Sequence, residues 1–314
     1  MNARRVLVTG GCGFIGSHVV DRLVEAGHIV SVVDDLSSGI LANIGAHVKR
    51  GAVEFEEADV RDQGVIDELV RDVDAVIHLA AIVSVPFSVE NPDLTFDVNV
   101  EGTRRLLESC VASGVKRFIN VSSCAVYGAP QYLPIDEAHP TGPISPYAVS
   151  KLDGERCCEE FAESFSSGLV VLRFFNVYGA RQAAGEYSGV ITKFLERVEN
   201  GQPLVIYGDG SQTRDFVNVA DVSDAMLTLL DHGGVKGVFN VGSGKAVSIN
   251  DLAKTVLRIS DKDCGIIHEP PRKSDIVHSV ADISKAREAF GYAPKVVLEE
   301  GLQGLLLDRR GATL

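Results

Sequence analysis

Apolar positions along the first half of the chain follow two alternating rhythms. Short β-branched runs, RRVLVTG, HIVSVVDD, VEFEEADV and DAVIHLAA, read as strands of a buried sheet. Between the first two, SHVVDRLVEAG places Val19, Val20, Leu23 and Val24 on one helical face and closes on a glycine. DVNVEGTRRLLESCVASG reads as a long helix, KRFINVSS as a strand, YAVSKLDGERCCEEFAESF as a helix and LVVLRFFNV as another strand. This alternation predicts an α/β fold over residues 1–175, a doubly wound parallel sheet with helices on both faces. Beyond it the rhythm breaks: QAAGEYSG and YGDGSQTRD are turn-rich, and Pro270 and Pro271 adjoin. A smaller α/β substrate region is expected over 176–314, with 214–240, which includes DFVNVADVSDAMLTLL, returning to the main sheet.

Composition narrows the partners. A chain of 314 residues can bury a large core. Its net charge of −13 argues against wrapping a nucleic acid or docking on anionic lipid, although local arginines can still hold a small polyanion. The apolar run near the N-terminus is only VLV, too short for a signal sequence, and no stretch approaches a membrane span. Six cysteines (Cys12, Cys110, Cys124, Cys157, Cys158 and Cys264) lack metal-ligand spacing, and Cys157 and Cys158 are adjacent. Reduced thiols, a cytoplasmic location and no metal site are expected.

The first chemical signal is TGGCGFIG, with Gly10, Gly13 and Gly16 spaced three apart between a strand and a helix. Small residues let a pyrophosphate reach the backbone, and the helix N-terminus offers free N–H groups. Asp34 and Asp35 end the second strand roughly 20 residues on, where a carboxylate binds a ribose diol and repels a 2′-phosphate, so NAD is expected over NADP. Asp59 is a candidate for the adenine amino group, and Leu79, Ala80 and Ala81 are small enough for the cofactor to cross. His78 lies in an apolar strand and reads as a satisfied core histidine.

SSCAVYG, residues 122–128, offers hydroxyls without an acid or a histidine. Its partner lies in SPYAVSK, where Tyr147 and Lys151 are four apart on one helical face. A phenol titrates near 10, and a nearby ammonium together with a positive nicotinamide ring is expected to lower that value. The phenolate then serves as a general base for an alcohol, with Ser123 holding the same oxygen.

TGGCGFIG, SSCAVYG, YAVSK, RFFNVYGARQ and TRDFVNVAD together resemble the extended short-chain dehydrogenase/reductase family, in its nucleotide-sugar epimerase/dehydratase branch. The resemblance implies an NAD domain, a small C-terminal sugar-nucleotide domain and a homodimer pairing helices near 98–112 and 148–165. It assigns Ser123, Tyr147 and Lys151 as catalytic. It places NAD contacts at Gly10, Gly13, Phe14, Ile15, Gly16, Asp34, Asp35, Ser37, Ser38, Gly39, Asp59, Val60, Leu79, Ala80, Ala81, Asn99, Ser122, Tyr147 and Lys151. Members that dehydrate the sugar carry Asp–Glu where Cys124 and Ala125 stand, and decarboxylating members carry Glu at the Ala125 position. Without those acids, reversible oxidation at C4 remains, which is 4-epimerisation. Epimerase/reductases pair a cysteine like Cys124 with a histidine at the position of Arg181; here the arginine breaks the pair, and Cys124 reads as a packing thiol.

For the substrate, the resemblance implies that Arg214 and Arg272 bind the pyrophosphate of a UDP-sugar, Asn176 adds an amide and Asp275 reaches the uridine ribose. Ser274 stands where the family has glycine. Ser84 and Ser88 are candidates for sugar hydroxyls or for loop caps. Ser279 stands where epimerases confined to plain hexoses resemble a tyrosine wall, so an N-acetyl group is expected to fit, and UDP-GlcNAc and UDP-GalNAc join UDP-glucose and UDP-galactose as expected substrates. The competing readings are a 4,6-dehydratase, an epimerase/reductase and a non-catalytic NAD-binding module.

Overall fold

Runs of Val, Ile and Leu with few charges make strands that can be covered on both faces, and the chain builds such a sheet. The computed structural model describes residues 3–183, 189–271 and 276–311. The strands are β1 (Arg5–Thr9), β2 (Ile29–Asp34), β3 (Val53–Glu57), β4 (Ala75–His78), β5 (Arg117–Ser123), β6 (Leu169–Phe174), β7 (Asn176–Tyr178), β8 (Leu204–Tyr207), β9 (Thr213–Asn218), β10 (Gly237–Val241), β11 (Ala246–Ser248) and β12 (Ile266–Glu269). The helices are α1 (Phe14–Glu25), α2 (Gly45–Lys49), α3 (Gln63–Leu69), α4 (Val85–Glu90), α5 (Pro92–Phe96), α6 (Thr103–Ala112), α7 (Pro146–Phe161), α8 (Val190–Glu199), α9 (Val219–Asp231), α10 (Ile249–Ser260), α11 (Ser284–Phe290) and α12 (Leu298–Gly311).

The main sheet runs β10-β6-β5-β4-β1-β2-β3, and every pairing in it is parallel. Strand order reverses between β1 and β4, the switch point at which open α/β sheets bind ligands beyond their strand ends. One face buries Val19, Val20 and Leu23 of α1 with Met226, Leu229 and Leu230 of α9. The other buries Ile66 of α3, Leu106 and Leu107 of α6, and Cys157 and Cys158 of α7. No helix among the described residues is long and apolar enough to cross a membrane.

The later chain departs from the expected return in one respect. Of 214–240, α9 packs on the main body and β10 joins the main sheet, but β9 pairs with β7 and β11 in a separate sheet. A third apolar cluster, with Phe194, Leu195, Leu252, Val256 and Leu302, shows why: α8, α10 and α12 bury their own stripe there. The expected long helix over DVNVEGTRRLLESCVASG is likewise not uniform. A π-helical segment, Asp97–Gly102, precedes α6, and such insertions occur mostly where a helix must present a group to a site.

Candidate functional site

The glycine turn between β1 and α1 is closely packed. Gly10 has φ +70°, and a Cβ there would lie 2.7 Å from the Ala80 nitrogen. A Cβ on Gly16 would lie 2.1 Å from the Gly10 carbonyl oxygen, so only glycine lets α1 seat this near the turn. Gly13 caps α1 without a side-chain bond, and the first turn carries no acid. The N–H groups of Phe14, Ile15 and Gly16 therefore take no bond from a cap side chain, as an anion site at a helix N-terminus requires. This cradle fits the pyrophosphate of NAD.

Asp34 is buried, and its carboxylate accepts from the Cys12 N–H at 2.9 Å and the Leu36 N–H at 2.9 Å. Burial pushes its pKa up while these bonds oppose the shift. The residue thus fastens β2 to the glycine turn, and a Gly39 Cβ would meet its oxygen at 2.8 Å. Asp35 is exposed and accepts from the backbone and hydroxyl of Ser37; Ser38 is exposed beside it. Asp59 accepts from the Arg61 backbone and guanidinium, which holds its carboxyl below the usual range, and Arg61 also bonds Asp97. Val60 is buried near Gly102.

Beneath the switch point runs a chain of polar contacts that the sequence reading did not connect. The Thr9 hydroxyl oxygen accepts the N–H groups of Leu79 and Ala80, so its proton goes to His78 Nδ1, 2.7 Å away. Thr103 donates to the Asn99 carbonyl, so His78 Nε2 donates to the Thr103 hydroxyl at 2.9 Å. That accounting fixes the tautomer, and burial pushes His78 down to about 3, a neutral core histidine. Asn99 accepts from the Ile82 N–H and donates to the Ile82 carbonyl and the Ser150 hydroxyl. Ser150 in turn donates to the Tyr147 carbonyl. Ala81 lies half-buried between these anchor points.

Helix α7 is set by its caps. Ser145 accepts the Ala148 N–H, Pro146 needs no partner at the first position, and Ser88 accepts the Tyr147 N–H at 3.0 Å. Ser88 therefore caps the helix, and Ser84 caps α4 by accepting from Phe87. The Ser123 hydroxyl, at the end of β5, hydrogen-bonds the Tyr147 phenol and accepts the Ala125 N–H at 3.2 Å.

Burial pushes the phenol up to about 12, while the Ser123 bond opposes the rise. In the protein alone desolvation outweighs the bond that lowers it. Lys151 is itself pushed down to about 8 by burial, with Cys158 and Glu155 opposing the shift. Cys124 is pushed up to about 12 by burial and by Asp215, with Arg214 opposing. It is a neutral thiol packed against the core, in electrostatic reach of both Tyr147 and Arg214.

Ser122 turns away to another network, donating to Glu155 at 2.5 Å, and Arg173 donates to the same carboxylate. On the substrate side, Asn176 is exposed at the start of β7, which pairs with β9. Arg214 donates to the Thr213 carbonyl at 2.8 Å, and the same carbonyl accepts the N–H of buried Ser279. Asp215, which the sequence reading passed over beside Arg214, is buried and accepts from Ser243, Gly244 and Ala281, tying the strand ends around Ser279. Arg272 and Asp275 lie outside the described residues. Among the described residues no cluster of His, Cys, Asp or Glu could hold a metal.

The model of the NAD dependent epimerase/dehydratase family matches residues 6–242. UDP-glucose 4-epimerase of Mycolicibacterium smegmatis is 39% identical over 95% of this chain and 96% of its own. UDP-N-acetyl-alpha-D-glucosaminuronate decarboxylase of Bacillus cytotoxicus is 32% identical over 96% of each chain. Among solved structures, UDP-N-acetylglucosamine 4-epimerase of Methanobrevibacter ruminantium M1, in complex with UDP-N-acetylmuramic acid, superposes with a TM-score of 0.94 at 35% identity, covering 99% of this chain and all of that one.

Proposed function

Since this chain belongs to the NAD-dependent epimerase/dehydratase family, we propose that it is a UDP-hexose 4-epimerase. Its substrates in this reading are UDP-glucose and UDP-galactose, together with UDP-GlcNAc and UDP-GalNAc. The observation that carries the reading is the neighbourhood of Ser123. Expelling water requires an acid and a base beyond the redox pair, and members that decarboxylate the sugar resemble this one but carry a Glu at the Ala125 position. Cys124 is held neutral by burial, and Ala125 ends in a methyl. Asp215 acts on Cys124, but its oxygens already accept four donors.

NAD, when bound, supplies a hydride acceptor that returns the hydride, and a positive ring charge. Gly10, Gly13, Phe14, Ile15 and Gly16 hold its phosphates in this reading, and Asp34 and Asp35 its adenosine ribose. Tyr147 moves a proton between its phenol oxygen and the C4 oxygen, Ser123 holds that oxygen, and the Lys151 ammonium favours the phenolate. A phenol that burial holds near 12 needs added positive charge to act as a base near neutral pH. Arg214, Asn176 and Ser279 face the UDP-sugar, joined by Arg272 and Asp275. The acting form is a homodimer through the helices near 98–112 and 148–165, in the cytoplasm.

Incubation with UDP-glucose and with UDP-GlcNAc, followed by chromatographic separation, is expected to give the C4 epimer in each case. A 4-keto-6-deoxy or decarboxylated product, or no turnover of any nucleotide sugar, refutes the reading. Ser279→Tyr is expected to cut turnover of the acetylated sugars by about a hundredfold, a few kcal/mol of steric conflict, while sparing the plain ones. Equal loss on both removes the size argument.

A further inference from the structure

The strongest feature that the proposed chemistry leaves unused is a buried ion pair directly behind it. Glu155 lies one turn beyond Lys151 on α7, and Arg173 lies in β6; each side chain is 7% exposed. Arg173 donates from Nε at 2.9 Å and from Nη2 at 2.6 Å, and the Ser122 hydroxyl donates to the same carboxylate. Ser122 and Arg173 are register partners across β5 and β6. One carboxylate therefore joins two strand ends to the helix that carries Tyr147 and Lys151, and Ser122 immediately precedes Ser123. Arg173 also lies 4.8 Å over the Tyr127 ring, whose hydroxyl donates to Asn240 of β10, so the pair is clamped on its far side as well.

A buried ion pair is weak evidence for stability, because desolvation offsets the attraction, so its place beside a working site is the informative part. Lys151 must carry a proton to favour a phenolate, yet its surroundings oppose charge. The groups that act on it or pair with those that do are, from α7, Cys158 and Glu155; from β4, His78; from β6, Arg173 behind Glu155. His78 is neutral, and burial holds the Cys158 thiol protonated. Glu155 is the carboxylate in this set.

We propose that Glu155 is a positioning residue of the redox site, which pins the end of β5 to α7 and supplies the negative charge that holds the Lys151 ammonium. The proposal rests on Tyr147 and Lys151 forming the reacting pair.

The test is Glu155→Gln, made alongside Glu155→Asp and Ser122→Ala. The expected result for Glu155→Gln is a fall in kcat of at least about tenfold with KM changed less than about threefold. Its alkaline limb of kcat is expected to move to lower pH by about half a unit or more. In protein labelled at the lysine 13Cε, with the Lys151 signal assigned through Lys151→Met, the titration midpoint of that signal is expected to move the same way. Glu155→Asp keeps the charge and shortens the reach, so its midpoint stays near that of the parent while kcat falls. Ser122→Ala does the same with the ion pair untouched. If Glu155→Gln does not fold, these two variants decide the matter. Parental kcat in both overturns the proposal, as does a Glu155→Gln protein that loses thermal stability but keeps the parental lysine midpoint and alkaline limb. Should the parent protein turn over no nucleotide sugar, the functional reading fails, while the lysine titration still reports on Glu155.

Discussion

Tyr147→Phe is expected to keep NAD and lose epimerisation by a factor of about 10³, within the range that a positioned general base contributes. Removing one oxygen leaves the packing of α7 intact. Its N-terminus is held by Ser145 and Ser88 through backbone N–H groups, and Ser150 bonds the Tyr147 carbonyl, so none of these contacts depends on the phenol. The loss therefore reads as chemistry, corresponding to ~4 kcal/mol of transition-state stabilisation. Bound NAD, released by denaturation and quantified by chromatography, should match the parent protein. A Phe variant with parental turnover excludes Tyr147 as the base.

Gly16→Ala is expected to lower both NAD retention and thermal stability. The added methyl would lie 2.1 Å from the Gly10 carbonyl oxygen and 2.8 Å from the Gly11 Cα, backbone atoms that cannot rotate away. Either α1 moves off the turn, withdrawing its N–H groups from the phosphate, or the turn itself opens. Overpacking of this kind costs about 1–3 kcal/mol, enough to lower NAD affinity by about fivefold to a hundredfold. Gly45→Ala is the control: it lies in a helix, and its Cβ would meet nothing within 4 Å. Thermal melting and NAD content of the two variants, measured side by side, decide the point. Equal behaviour would mean that the turn tolerates the methyl.

The parallel sheet and the dinucleotide turn were legible because their signals are local. Apolar runs announce buried strands, and three glycines at a strand–helix junction require a close approach. The Tyr147–Lys151 spacing was legible for the same reason, since four residues on a helix share a face. What could not be read were networks that join distant segments. Thr9, His78, Thr103 and Asn99 form one hydrogen-bonded line only after β1, β4 and the π-helical segment meet, and no spacing rule connects them. Asp215 was hidden beside Arg214, and Glu155 by an acidic helix that looks solvated, GERCCEEF, although Glu155 lies four residues after Lys151. Ser84 and Ser88 show a related ambiguity: serine before a helix is as good a cap as a sugar ligand, and the bonds observed are caps. Counting cations also leaves out desolvation, which raises the Tyr147 phenol in the protein alone.

The central claim is that one carbon loses and regains its own hydrogen while the Tyr147 oxygen handles only the hydroxyl proton. UDP-glucose carrying deuterium on C4 tests it most directly, with mass and position of label followed in the UDP-galactose formed in ordinary water. The account predicts that the deuterium stays on C4 of the product. Label that washes into solvent, or moves to another carbon, contradicts it.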